Sequence, residues 1–167
     1  KDPKKGARIC EGIIKHYNHG WANGYHFDIT YWEIWNEPDN QPNPENSPMW
    51  KGTKEQYYEL YSVTANHLKE NFPYIKVGGY ACCGFYSITG SYTTDANVSE
   101  RTDYFIEVFQ GFMTYITAPE TKAPLDFFSW HAYAQTPNNY DTSVYVRERI
   151  DKYGFFETES MVNAANP

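Results

Sequence analysis

Tyr31-Trp32-Glu33-Ile34-Trp35-Asn36-Glu37-Pro38-Asp39 is the stretch on which the fold turns. Ile29 to Trp35 is apolar and aromatic, the make-up of a short, largely buried strand. Asn36 to Asp39 ends that strand, because Pro38 has no amide hydrogen to give to a sheet ladder. Side chains alternate faces along a strand, which places Glu33, Trp35 and Glu37 on one side. A carboxyl beside the Trp35 ring is desolvated, which raises its pKa and suits it to act as an acid near neutral pH. Glu33, deeper in the strand, reads as a hydrogen-bonded structural carboxylate. Asn-Glu-Pro-Asp reads equally well as a plain strand-ending turn, since every member is a turn former.

Outward from this strand the periodicity alternates between helical and extended. Ala7 to Tyr17 is predicted as a helix with Ile9, Ile13, Ile14 and Tyr17 on its apolar face. The three prolines Pro42, Pro44 and Pro48 make Asn40 to Pro48 a loop. Thr53-Lys54-Glu55-Gln56 is a capping box, and the helix after it stripes Tyr57, Leu60, Tyr61, Thr64 and Leu68 before stopping ahead of Pro73. Strands are predicted at Tyr74 to Tyr80, Leu125 to His131 and Glu157 to Asn163. Helices are predicted at Asp103 to Ala118 and Thr142 to Tyr153, the second closed by Gly154. A Ser/Thr/Gly loop follows Gly84, and another loop runs to about Asp141.

Alternating helices and strands imply parallel pairing with right-handed crossovers. The strand starts are spaced so that eight such units would make a chain of about 250–400 residues, the size of a (β/α)₈ barrel. The fold class is therefore α/β, a partial (β/α)₈ TIM barrel with four strands and their helices. A small doubly wound sheet is the rival, without a Gly-rich phosphate turn to support it.

Chemistry in a parallel barrel sits at the carboxyl ends of the strands. One such end carries Asn36 and Glu37. Another carries His131 and Tyr133, of one parity, with Trp130 beside them. The last carries Asn163 and Ala164. Ser129 lacks the Gly-x-Ser-x-Gly elbow and a well-placed base, so it is not a candidate nucleophile. No set of Cys, His and Asp has metal-ligand spacing, and no metal or cofactor is expected.

The whole composition narrows the classes of partner. Lys and Arg total 14 against 21 Asp and Glu, a net charge of −7, which argues against nucleic acid and polybasic membrane binding. No run reaches the roughly 20 apolar residues of a membrane span. Aromatics make up 19% of the chain, with 16 Tyr, 10 Phe and 5 Trp, a stock of rings for stacking on sugars or for filling a core. Cys10, Cys82 and Cys83 are odd in number and suit neither a disulfide framework nor zinc, so they are expected as reduced thiols, a pattern of the cytoplasm. Helical periodicity starts almost at the first residue, and the last residues stop as a strand ends, so the chain reads as cut at both ends.

The string from Tyr31 to Asp39 resembles the acid/base strand of clan A glycoside hydrolases, most of all family 39, the β-xylosidase and α-iduronidase family. Phe128-Ser129-Trp130-His131-Ala132-Tyr133 is similar to that family's sixth barrel strand. The resemblance covers essentially the whole chain and implies a partial catalytic domain over 1–167 holding barrel strands four to seven, with one to three and eight absent. It implies retaining hydrolysis of a glycosidic bond in a carbohydrate, with Glu37 as general acid/base and no cofactor. Asn36 would bind the sugar 2-hydroxyl, Tyr133 would orient the nucleophile, His131 would bind sugar hydroxyls or the carboxylate, and Trp130 would wall the subsite. The family's nucleophile is a Glu at the end of the seventh strand, and Ala164 stands in its place. Glu159 lies too early in that strand to substitute. The chain is thus expected to be inactive by itself, its partner being the remaining half of the barrel. The alternatives are a carbohydrate-binding pseudoenzyme without turnover and an unrelated half-barrel subunit.

Overall fold

The computed structural model describes residues 2–85, 96–133 and 138–165. Over these, α1 (Pro3–His19), β1 (Tyr31–Glu33), α2 (Lys54–Asn71), β2 (Lys76–Cys82), α3 (Ala96–Thr117), β3 (Phe127–Ala132), α4 (Asn138–Asp151) and β4 (Glu159–Ala165) alternate along the chain. The four strands form one all-parallel sheet in the order β1-β2-β3-β4. The loops predicted after Gly84 and before Asp141 lie partly outside the described residues, at 86–95 and 134–137.

Local chemistry explains the main boundaries. Asp2 caps α1 by accepting from the amides of Lys4 and Lys5, and Gly20 ends it at φ 70°, a left-handed turn that glycine makes without strain. Thr53 and Gln56 form the predicted capping box of α2. Gly154, at φ 83°, follows α4. The strands β2, β3 and β4 each start two residues later than the apolar pattern predicts.

The core lies between the outer face of the sheet and the helices. Tyr57, Tyr61, Tyr80, Phe112 and Phe128 are fully buried there, with edge-to-face contacts such as Tyr61–Phe112 at 4.8 Å and Tyr80–Phe112 at 5.1 Å. The tyrosines also spend their hydroxyls inside: Tyr57 donates to the Ile34 carbonyl, Tyr58 to Val108 and Tyr61 to Pro124. Much of the aromatic excess is therefore structural. The α1 face departs from expectation. Ala7, Ile14 and Asn18 are its buried residues, whereas Ile9, Ile13 and Tyr17 are exposed. This helix packs on α2 by one narrow stripe, while Tyr17 stacks on Tyr25 at 5.8 Å and Ile9 and Ile13 stay exposed.

The inner face shows that the sheet curls. In a flat sheet, β1 and β4 would stand three strand spacings apart, about 14 Å. Yet the Tyr31 hydroxyl donates to Glu159 Oε2 at 2.9 Å, and the Asn163 amide donates to Glu33 Oε1 at 2.7 Å. Lys76 completes the lower layer with an ion pair to Glu159. Such side-chain layers across a curved parallel sheet are the interior of a barrel, here half closed.

Candidate active site

The motif does not end as a simple strand. Trp35 and Glu37 take left-handed backbone angles, φ 75° and 45°, so the alternation that would align Glu33, Trp35 and Glu37 breaks. The chain stays docked on β2 all the same, with the Ile34 amide on the Gly78 carbonyl at 2.9 Å and the Glu37 amide on Ala81 at 3.3 Å. Bulky residues at positive φ are strained, and such strain gathers where side chains must be aimed. The result sends Trp35 outward, where its indole donates to the Met49 carbonyl and meets Trp50 edge-on at 5.2 Å. Glu37 turns inward and is 7% exposed.

Glu37 meets His131 at the carboxyl end of β3: Nδ1 lies 2.6 Å from Glu37 Oε1. Asn40 donates its side-chain amide to the other oxygen, Oε2, at 2.8 Å. The His131 hydrogen bond holds the Glu37 carboxyl below its usual range, against the upward push of burial and with help from Asn40. This corrects the expectation that desolvation by Trp35 raises it: the indole has turned away, and hydrogen bonding to the charged form wins. Glu33 does have a raised pKa, through burial, opposed by a hydrogen bond from Ser129, the His131 charge and a hydrogen bond from Asn163. Its place in the interior layer fits the structural role expected of it.

The other candidate residues divide. Tyr133 sits edge-on to the His131 ring, centroids 5.8 Å apart, and is exposed. Asn36 is exposed on the rim, with its amide 4.0 Å from Met49 Sδ. Trp130 does not wall this site. Its parity on β3 is opposite to that of His131, so it is fully buried in the core, where its indole donates to Ser160 Oγ at 3.1 Å. Ser129 accepts from the Ala81 amide at 2.9 Å, a structural use. Ala164 lies within β4 and pairs in register with His131, at the level of the Glu37–His131 pair. Glu159 pairs with Phe127 at the opposite end of β4.

Sequence reading passed over the groups behind Glu37. Asp39 is fully buried, accepts from the Cys83 amide at 3.1 Å and from Cys82 Sγ at 3.1 Å, and burial pushes its carboxyl up to about 6. Arg101, on the first turns of α3, donates to the Asn40 carbonyl at 3.2 Å. The run Glu37-Pro38-Asp39-Asn40 held a signal for Asn40, since a Pro-containing turn returns the third following residue to the first. Arg101 lay outside the predicted helix, and nothing local marked it. All three cysteines are free thiols. Among the described residues, no group of three or more His, Cys, Asp or Glu could hold a metal ion, and no helix is long and apolar enough to cross a membrane.

A parallel sheet that curls, alternates with helices and carries a carboxylate–imidazole pair at its strand ends places the chain in the class of (β/α)₈ barrel proteins. The chain belongs to glycosyl hydrolases family 39, whose profile matches residues 7–164. It is 29% identical over 154 residues to a β-xylosidase of Geobacillus stearothermophilus, covering 90% of this chain and 25% of that protein. It is similar to the structure of a glucosidase from Croceicoccus marinus, with a TM-score of 0.74 and 27% identity over 99% of this chain and 31% of that one. A family 39 β-xylosidase of Caulobacter crescentus shares the fold at 18% identity and a TM-score of 0.64, again with 99% of this chain and 30% of the other covered. The chain spans about a quarter of the length of the Geobacillus relative.

Proposed function

We propose that this chain carries the acid/base side of a retaining glycosidase site, with Glu37 as general acid and then general base. The observation that supports this most is Glu37 itself, buried at the strand ends, hydrogen-bonded to His131 and level with position 164 on β4. In the first step Glu37 gives its proton to the glycosidic oxygen as that oxygen's bond to the anomeric carbon breaks and a nucleophile on the opposite face bonds to the carbon. In the second it takes a proton from the water that attacks that carbon and displaces the nucleophile. The nucleophile belongs at position 164, where Ala has no group to attack with. The substrate is a carbohydrate, with Tyr133 and His131 on the sugar side and Asn36 able to reach a hydroxyl from the rim. The remaining strands of the barrel complete the site, and the exposed apolar faces beside β1 and β4 are where they would seat.

The test uses the full-length protein, with azide as an external nucleophile for the missing carboxylate. Azide is expected to restore turnover of an aryl glycoside with a good leaving group. Glu37→Gln is then expected to slow substrates with poor leaving groups by about 10²–10⁴-fold while sparing good ones. Equal slowing of both, or none, would remove Glu37 from the acid role. Ala164 itself favours one other reading, a sugar-binding protein without turnover, and that reading stands if azide restores nothing while sugar binding persists.

A further inference from the structure

The most fully built feature that the acid/base reading leaves unused is the clamp behind Glu37. The two carboxyl oxygens of Glu37 have different partners. Oε1 faces His131 Nδ1 at 2.6 Å, and a ring nitrogen can give or receive a hydrogen according to tautomer. Oε2 accepts from the Asn40 side-chain amide at 2.8 Å, and an amide N–H can only give. That bond favours the proton of the neutral acid on Oε1, because a hydroxyl oxygen is a poorer acceptor than a carbonyl oxygen.

Asn40 is itself held from three sides. Its backbone amide donates to the Glu37 carbonyl at 3.1 Å, its carbonyl accepts from Arg101 at 3.2 Å, and its side-chain nitrogen lies 3.4 Å from Cys83 Sγ. Asp39, fully buried, ties the same turn to the end of β2 through the Cys83 amide. The turn therefore cannot swing away without breaking bonds to two other elements.

We infer that Asn40 is a positioning residue that fixes Oε2 as the unprotonated oxygen of Glu37 and so assigns proton transfer to Oε1. This rests on the reading of Glu37 as the acid/base. The proton leaves Oε1 for the glycosidic oxygen, which takes the electron pair of the breaking bond. Oε1 later receives the proton of the attacking water. The assignment also defines an order of events at His131. Its ring must release Oε1, or swap its own hydrogen, as the sugar oxygen arrives, while Asn40 stays bonded throughout.

The test is a carboxyl-carbon NMR titration of Glu37 in the full-length protein, with Glu37→Gln identifying the signal. The titratable and charged groups around this carboxyl are His131 from β3, Tyr133 just after it, Cys83 after β2, Arg101 from α3, Glu33 one layer below and Asp39 in its own turn. All remain in each variant. Asn40→Ala deletes the donor, and Asn40→Asp keeps the volume while setting oxygen against oxygen. Both are expected to move the Glu37 midpoint to higher pH, with the acid dissociation constant falling about tenfold in the Ala variant and further in the Asp variant. A residue serving only the fold would lower the melting temperature and leave that midpoint alone. An unmoved midpoint in either folded variant overturns the inference, as does loss of cooperative folding in both. Failure of the acid/base reading registers elsewhere, as azide-dependent turnover of poor leaving groups that survives Glu37→Gln whatever the titration gives.

Discussion

At the scale of single residues, two acids only two positions apart in the chain show opposite electrostatics. Glu37 is kept ionised by the hydrogen bonds it accepts, so its contribution to stability is present above its unfolded pKa and fades as pH falls through the lower folded value. Asp39 works the other way. Its carboxyl is raised from 3.8 to about 6 by burial, so the folded state holds a proton that the unfolded state gives up between those values. Stability therefore falls as pH climbs from about 4 to 6, by about 3 kcal/mol in the limit where the whole shift is expressed. Asp39→Asn removes this dependence: urea midpoints of wild type and variant are expected to diverge over that interval, the wild type losing ground, and parallel curves would refute the assignment. The candidate site was legible where it is written as a motif, in Glu37 and His131, because strand ends gather their residues by rule. It was not legible in Asn40, Asp39 and Arg101, which act through a turn and a helix start that only tertiary packing brings together. Trp130 misled for a simpler cause: a one-residue change of parity on β3 takes it to the other side of the sheet.

At the scale of elements, close backbone approach decides how β2 and β3 pair. Gly78 sits opposite Phe127, and a Cβ built on it would lie 2.1 Å from the Phe127 carbonyl oxygen and 2.6 Å from its ring. Gly78→Ala is expected to force the two strands apart and to destabilise the fold by about 1–3 kcal/mol, read as a lower melting temperature. A neutral effect would mean that the pairing tolerates displacement. Helix α2 was readable from the sequence to its first residue, because a capping box is a local device. The inner stripe of α3 was readable too, with Phe105, Val108, Phe109, Phe112 and Ile116 all buried as expected. Helix α1 was readable as a helix but only partly in its orientation: Ile14 is buried as expected, whereas Ala7 and Asn18 are buried although they look less apolar than the exposed Ile9 and Ile13. Asn18 earns its burial by bonding both the amide and the carbonyl of Ile29, at 2.9 and 2.8 Å, which fixes the approach to β1.

At the scale of the whole molecule, the sheet of the described residues has β1 and β4 as its edges, and apolar side chains are exposed beside each. On one side Tyr17, Tyr25 and Phe27 form a stacked ladder, with Tyr25 and Phe27 4.6 Å apart, and Trp21 is 59% exposed near them. On the other, Phe156 is 71% exposed and Val162 45%. Open edges flanked by such surface are sites for pairing with another chain. Residues 1–167 expressed alone are expected to self-associate, with sedimentation coefficients that rise over a hundredfold range of concentration. The full-length protein is expected to lack that rise, and a monodisperse monomer of the 167 residues would show that the edges are protected. The order β1-β2-β3-β4 matters in time as well as in space. Because each strand pairs with the one made just before it, a chain leaving the ribosome always finds its docking edge already in place. The bond between Glu37 and His131 spans 94 residues and can close once β3 has docked, before β4 has left the ribosome to join it. The acid–imidazole pair is thus inherited by the growing barrel as a finished part, against which the later strand is fitted.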